Sequence, residues 1–551
     1  MLEGIGDVDD VDDALDALEA RGLVLRRAQS QVVGDVEYTY KHVLFRDIAY
    51  GTLPRATRRT LHAATARLIE EATGISELAW LLAHHWREAG ETERAMGYLI
   101  AAAKRARDAL AIDETYDLYT RALELATTVE DRRRIRLERG RALADLGDYE
   151  RADRELAEVI PELDGVDEIE GLLARGHSTL WTEQAEETLR LASRVVELVA
   201  ERGVPELEGP TWALLSQAHG MRGDDGDLDA ALANGDRALE AWIQGTRLGE
   251  LAEHYHLHAN AYYWTGGYGR ALELSHLAAE TGGLEPHSAE FVLRGAGMKG
   301  LILAGLGRYE EALAAADAAI ATARRLGRRD NVVLNYSTLP LREIFRLDDA
   351  RARSETVVDR LGPSTFNMPW MNARADLMGV HLLDGDLGRV EQDWPSAWED
   401  ALAVGAWEHW LISGRLAAYR ADLELGAGRL EDAVTWARRA LERARTVHRR
   451  KYEAIALTTL GRALTEQGLG EDASAELRRA VEIADALDSP LLRWQARAAL
   501  SGSMRSKGSD PDVPLQEAAA IVHDVAASLG PQRAEGYLAA REVVEVLGAA
   551  G

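Results

Sequence analysis

The 551-residue chain has no cysteine. Disulfides, thiolate metal sites and cysteine nucleophiles are therefore excluded, and the absence fits a reducing compartment, so a cytoplasmic location is the expectation. Phenylalanine occurs only four times, while alanine, leucine, arginine and glutamate dominate. That bias favours strong helix formers over the β-branched and aromatic mix that builds sheets. No apolar run reaches the roughly 18 residues that a membrane helix needs. The first residues are acidic rather than a basic stretch leading into an apolar one, so neither a membrane span nor a secretion signal is read. Lysine is confined to Lys41, Lys104, Lys299, Lys451 and Lys507, and none of them follows a glycine. The Gly-Lys-Ser/Thr phosphate loop, whose backbone N–H groups and ammonium hold phosphates, is thus missing, and P-loop ATPase chemistry is excluded for this sequence. Neither a Gly-x-Ser-x-Gly elbow nor a His-Glu-x-x-His helix occurs, so no catalytic residue, metal or cofactor is expected and the chain reads as a non-enzyme. Its net charge of −28 repels a phosphate backbone and makes nucleic acid a poor partner.

What the sequence does contain is self-similarity. A Gly-x-Tyr/Leu turn followed three residues later by alanine recurs at Gly147-Asp148-Tyr149 with Ala152, Gly226-Asp227-Leu228 with Ala231, Gly307-Arg308-Tyr309 with Ala312, and Gly428-Arg429-Leu430 with Ala433. Around it lie a small residue twelve positions before the alanine, a large apolar one nine before, and small or apolar ones four and seven after. Gly140, Leu143, Ala152, Leu156 and Val159 fill these places, and Gly300, Leu303, Ala312, Ala316 and Ala319 fill them again. This is the tetratricopeptide pattern, in which antiparallel helices approach closely only where side chains are small. Anchors at Ala231, Ala271, Ala312, Ala350, Val390, Ala433 and Ala473 give steps of 40, 41, 38, 40, 43 and 40. The usual unit is about 34 residues, so these helices are longer by a turn or two. The expected fold is all-α, a right-handed superhelical tetratricopeptide-like solenoid. Residues 131–500 hold the repeats, 54–130 linking helices and first repeats, and 515–551 capping helices after a polar break at Ser501–Pro514.

Residues 1–53 differ. Val11, Leu15 and Leu18 share one helical face, and Gly22–Arg27 and Val36–Lys41 alternate in period two across a loop holding Gly34, which predicts a helix and then a β-hairpin. Helix followed by hairpin is the tail of a winged helix. The stretch Glu37–Glu70 resembles the junction in bacterial STAND-type signalling ATPases, where a winged helix is followed by a helical-repeat sensor. The closest likeness is to actinobacterial adenylate cyclase-like and LuxR-type regulators, through Tyr40, Lys41, His42, Arg46, Asp47, Ala49 and Tyr50. The resemblance extends over about the first 125 residues. It implies an interdomain role for Tyr40, Lys41, His42, Arg46 and Asp47, and a separate ATPase or effector domain as partner.

In this register His256, Asn260, Tyr263 and Trp264 face the concave surface, a set suited to capturing a peptide, a protein segment or a small-molecule inducer, with ordinary groove lining as the plainer reading. A second aromatic group comprises Phe366, Trp370, Trp394, Trp398, Trp407 and Trp410, and reads as a ligand pocket or as inter-repeat packing. Glu250, His254 and His258 at steps of four have metal-ligand spacing without a fixed further ligand. Asp7, Asp9, Asp10, Asp12 and Asp13 lack the glycine and distal glutamate of a calcium loop and suit a helix N-terminus. Arg26, Arg27, Lys41, Arg46, Arg55, Arg58 and Arg59 make the N-terminal module locally basic, which raises DNA binding as a third choice. The expectation is a regulatory binding scaffold descended from a sensor. Its rival is the C-terminal part of an ATP-dependent cyclase-like or LuxR-type regulator.

Overall fold

The structure, a computed structural model, describes residues 5, 10–27, 36–72, 78–284, 289–325, 327–362 and 368–551. The chain divides into two units, Met1–Ser178 and Thr179–Gly551. Each is built of antiparallel helix pairs, apart from one two-stranded hairpin, and the architecture is a tetratricopeptide-like helical solenoid.

In the first unit the helix Val11–Ala20 leads into strands Val24–Arg26 and Tyr38–Tyr40, which pair antiparallel with Val24 opposite Tyr40. The hairpin's predicted turn glycine, Gly34, and the acidic residues Asp7 and Asp9 lie outside the described residues. Helices Val43–Thr52 and Arg55–Ala72 follow, then the pair Ala79–Ala89 with Thr92–Asp108, the helix Ile112–Leu125, and Val129–Asp145, which pairs with the helix after it. Gly147, at φ +81°, ends the last of these in the left-handed conformation that glycine tolerates best. Asp148 then caps the next helix by accepting from the Arg151 N–H.

The reason for the repeating small residues is visible in the packing. A Cβ added at Gly140 would lie 2.7 Å from the Leu156 side chain, one at Gly461 2.3 Å from Leu477, and one at Gly300 3.0 Å from the Ala312 carbonyl oxygen. All seven anchors from Ala231 to Ala473 are at most 1% exposed. Each sits where two helices meet, with no volume left for a longer side chain.

The second unit curls back on itself, so that its first helices meet residues near Trp410 and its last helices meet residues 303–344. Trp410 Nε1 donates to the Met221 carbonyl at 3.2 Å, and the indoles of Trp264 and Trp410 cross edge-to-face at 5.0 Å. His448 Nδ1 lies 2.9 Å from Asp229, and Lys451 Nζ 2.7 Å from Glu343. Gly307 has no room for a Cβ beside Pro490, nor Gly266 beside Leu487. The chain's last helices, Asp512–Ser528, Pro531–Leu538 and Arg541–Ala550, share a hydrophobic core with Leu303, Tyr309, Leu341 and Ile344. Glu310 accepts there from the Gly530 N–H at 2.7 Å and pairs with Arg533. The break before these helices is shorter than the sequence suggests. Ser501–Ser506 continue the helix Pro490–Ser506, because Ser501 and Ser503 are small enough to pack inside, at 1% and 0% exposure.

Candidate functional site

Curling brings the first helices of several pairs face to face around a partly open cavity of about 200 Å³. That is roughly ten times the space one water requires. Its walls come from Trp181 and from helices Leu248–Thr265, Ala289–Gly305, Asn331–Tyr336, Thr338–Glu343, Met368–Asp384, Ala406–Gly426 and Arg450–Glu466. The helices present this face because their opposite sides are occupied by the small-residue contacts with their pair partners.

Of the residues that sequence reading placed on a groove, His256, Asn260, Tyr263, Trp264 and Trp407 line this one cavity. The indoles of Trp181 and Trp407 stand 6.2 Å apart. Asn260 Nδ2 donates to the His256 carbonyl at 2.9 Å, which fixes the amide along its own helix. Burial drives the His256 imidazole down to about 3, so it is neutral. Among the described residues its Nδ1 has no hydrogen-bond partner.

The other tryptophans lie elsewhere. Trp394 and Trp398 stack at 5.1 Å, and Trp436 crosses both edge-to-face at 5.1 and 5.3 Å. Arg420 covers Trp394, and Arg439 covers both Trp398 and Trp436. Trp394 Nε1 is spent on the Leu416 carbonyl at 2.8 Å. Trp370 lies under the Arg374 guanidinium at 4.5 Å, and Trp410 packs into the closing contact. Phe366 lies outside the described residues. His254 Nε2 donates to the Gly235 carbonyl at 3.1 Å and His258 Nε2 to Asp236 at 3.0 Å, their rings stacked at 5.3 Å. Glu250 meets Arg247 at 2.8 Å. The His-Glu stripe is thus occupied by packing and by neighbours on the adjoining helix.

In the first unit Tyr40, Lys41, His42, Arg46 and Asp47 are all exposed, and Arg46 meets its neighbour Asp47 at 2.7 Å. Val43, Leu44 and Ile48 beside them are 63%, 66% and 58% exposed. Several basic side chains of this module are engaged locally. Arg27 pairs with Glu37 at 3.1 Å, Arg59 Nε donates to the Ala89 carbonyl at 2.8 Å, and Arg58 lies over the Tyr50 ring.

Sequence reading missed the polar floor of the cavity. Arg342 and Arg415 reach Asp376 Oδ1 at 3.1 and 2.5 Å, and Thr338 Oγ1 donates to Asp376 Oδ2 at 2.6 Å. Arg415 Nη1 also donates to Asn372 Oδ1 at 2.8 Å, and Tyr419 Oη accepts from both arginines. The two guanidiniums hold the Tyr419 phenol below its ordinary range against the opposing effect of burial. A signal existed: the residues four positions either side of Arg415 are Leu411 and Tyr419, so this helical arginine has no carboxylate in the i±4 positions where a surface arginine usually finds one.

No protein-family model matches the chain, and no curated protein matches it. Among solved structures, similarity extends to the Cut9–Hcn1 hetero-tetramer of the APC/C, at 14% identity and a TM-score of 0.45 over 88% of this chain and 94% of that one. It extends also to a STAND protein with a tetratricopeptide repeat sensor from Pyrococcus horikoshii, at 16% identity and a TM-score of 0.44 over 70% of this chain and 57% of that one. A Rap protein complexed with Competence and Sporulation Factor matches at 11% identity and a TM-score of 0.39, over 70% of this chain and 99% of that one. All three TM-scores are below 0.5, and the tetratricopeptide-like helical solenoid is read from the chain's own stacked helix pairs.

Proposed function

We propose that the chain is a non-catalytic sensor scaffold that takes a small inducer or the end of a peptide into the partly open cavity of its second unit. One observation carries this reading: a cavity that draws aromatic, amide and cationic side chains from inner helices spread between Trp181 and Tyr452. Ligand sites are concave and apolar, with a few convergent polar groups. A ligand held by this many repeats at once binds the curled form better than an opened one, and such differential affinity is what shifts a conformational equilibrium.

Screening peptide and metabolite libraries by thermal shift tests the proposal against Asn260→Trp, a substitution that fills the cavity. A ligand that raises the Tm of the wild-type chain and leaves the variant unmoved supports it. A stabilisation that persists in the variant, or a library with no stabilising member, contradicts it.

The exposed Val43, Leu44 and Ile48 beside Tyr40 and Arg46 support a second element of the reading, that the N-terminal module engages a STAND-type ATPase or effector domain supplied by a partner chain. Replacing Leu44 and Ile48 by aspartate should abolish co-purification with such a domain while leaving the Tm of the chain itself unchanged. Unchanged co-purification would contradict the assignment.

A further inference from the structure

Among the described residues, the charged side chains lining the cavity are Arg294, Arg342, Arg415, Arg449, Lys451 and Asp376. Five are cations, in a protein whose net charge is −28. Such a concentration is costly, because desolvating an ion without a counter-charge costs several kcal/mol. Two of the five have a carboxylate of their own: Lys451 lies 2.7 Å from Glu343, and Arg294 3.7 Å from Glu290. Arg342 and Arg415 must share the single carboxylate of Asp376.

Arg449 has no carboxylate within salt-bridge distance among the described residues. It is 6% exposed, donates from Nη1 to the Leu411 carbonyl at 3.0 Å, and lies over the Tyr452 ring at 4.0 Å. Its guanidinium stays charged at any physiological pH. The cavity wall therefore carries unbalanced positive charge at Arg449 and at the Arg342–Arg415 pair. Near Trp181 and Trp407, Glu253 accepts from Trp181 Nε1 at 2.8 Å and is not part of the lining, and the carboxyls of Glu183 and Glu408 do not oppose the positive charge. They stand outside the lining, and burial pushes both toward the neutral acid.

We propose that the cavity selects an organic anion, a compact apolar body bearing one carboxylate, with the carboxylate held by Arg449 beside Arg415 and the body seated among Trp181, Trp264 and Trp407. A carboxylate fits because the planar guanidinium fork matches its two oxygens, and such charge-assisted bonds strengthen where water is excluded. Indole walls suit a flat apolar body. This inference rests on the cavity being the ligand site.

The test uses the full chain and matched probe pairs that differ only in charge. One arm compares 2-naphthoate with 2-naphthamide and indole-3-acetate with indole-3-acetamide. The other compares a short apolar peptide ending in phenylalanine as the free acid and as the C-terminal amide. In calorimetric titration at low salt, the acid of at least one arm should bind one to one and at least about tenfold more tightly than its amide. Whichever arm shows the preference identifies the source of the carboxylate as a free acid or a peptide end. Arg449→Gln should reduce the preference below about twofold without weakening the amide. Should that variant fail to fold, the acid–amide comparison on the wild-type chain stands alone. Equal affinity for acid and amide would overturn the choice of an anion while leaving the cavity as a binding site, and no binding by any carboxylate in either arm would overturn the inference altogether.

Discussion

At the scale of single residues, close approach and buried charge decide what can be changed. Gly223 combines a φ of +66° with an indole of Trp410 that would lie 2.2 Å from an added Cβ. Gly223→Ala should therefore destabilise the chain by about 1–3 kcal/mol, through strain at the left-handed position and displacement of the ring. Urea unfolding followed by tryptophan fluorescence measures this, and a change under about 0.5 kcal/mol would show that the indole moves freely. Among the described residues Asp376 is the one carboxylate that pairs with Arg342 and Arg415. Asp376→Asn leaves two buried guanidiniums without it, and the expected loss is about 3–5 kcal/mol in the same measurement. Sequence patterning could reach His256, Asn260, Tyr263 and Trp264, because repeat register alone assigns a face to each position of a helix. It could not reach Asp376 or Arg449, because their partners, 34 to 39 residues away on neighbouring repeats, are chosen by side-chain packing that the repeat register does not encode.

At the scale of elements, the forty-residue step was legible because a helix pair must place a small residue wherever it meets its partner, whatever happens elsewhere in the chain. Ala433, at 0% exposure, marks one such contact, and Ala433→Leu should cost about 1–3 kcal/mol by overpacking. The same substitution at Ala427, just past the helix end at Gly426, should change stability by less than about 0.5 kcal/mol. Helix ends were less legible: the serines of Ser501–Ser506 read as a break because their packing depends on neighbours that composition does not reveal. In the N-terminal unit, helices Arg55–Ala72 and Ala79–Ala89 are joined through His62 Nδ1 and His85 Nδ1, 2.8 Å apart. One ring must donate and the other accept, so a second proton breaks the contact. Burial, then electrostatic repulsion from the neighbouring His62 and His84 rings, lowers His85 to about 4. NMR titration should find His85 still neutral at pH 5.5, and protonation near pH 6.5 would contradict the geometry.

At the scale of the whole molecule, buried histidines and a buried carboxyl set opposing limits on stability. Burial holds His254 and His256 at about 3, well below the ordinary 6.5 they regain on unfolding. Their contribution is complete above pH 6.5 and is lost as pH falls toward about 3, because the unfolded chain then binds more protons. Glu183 acts in the opposite sense. Burial and the adjacent Glu408 carboxyl raise it to about 9, so its contribution is complete below about pH 4.5 and is lost as pH rises toward 9. Calorimetric Tm should fall on both sides of neutrality, and Glu183→Gln should flatten the alkaline limb. An alkaline limb unchanged in that variant would refute the assignment.

Closure of the second unit is the property on which the cavity and its ligand chemistry depend. The chain has no cysteine, so spin labels can be placed at will, and Asp229 and His448 meet at 2.9 Å on exposed ends of the contact. Pulsed electron resonance on the Asp229→Cys, His448→Cys variant should give a single narrow distance, under about 20 Å, since adjacent helices pack about 10 Å apart. A broad distribution centred beyond about 40 Å, the separation expected of several helix pairs stacked in an open array, would contradict closure and leave no cavity for a ligand to fill.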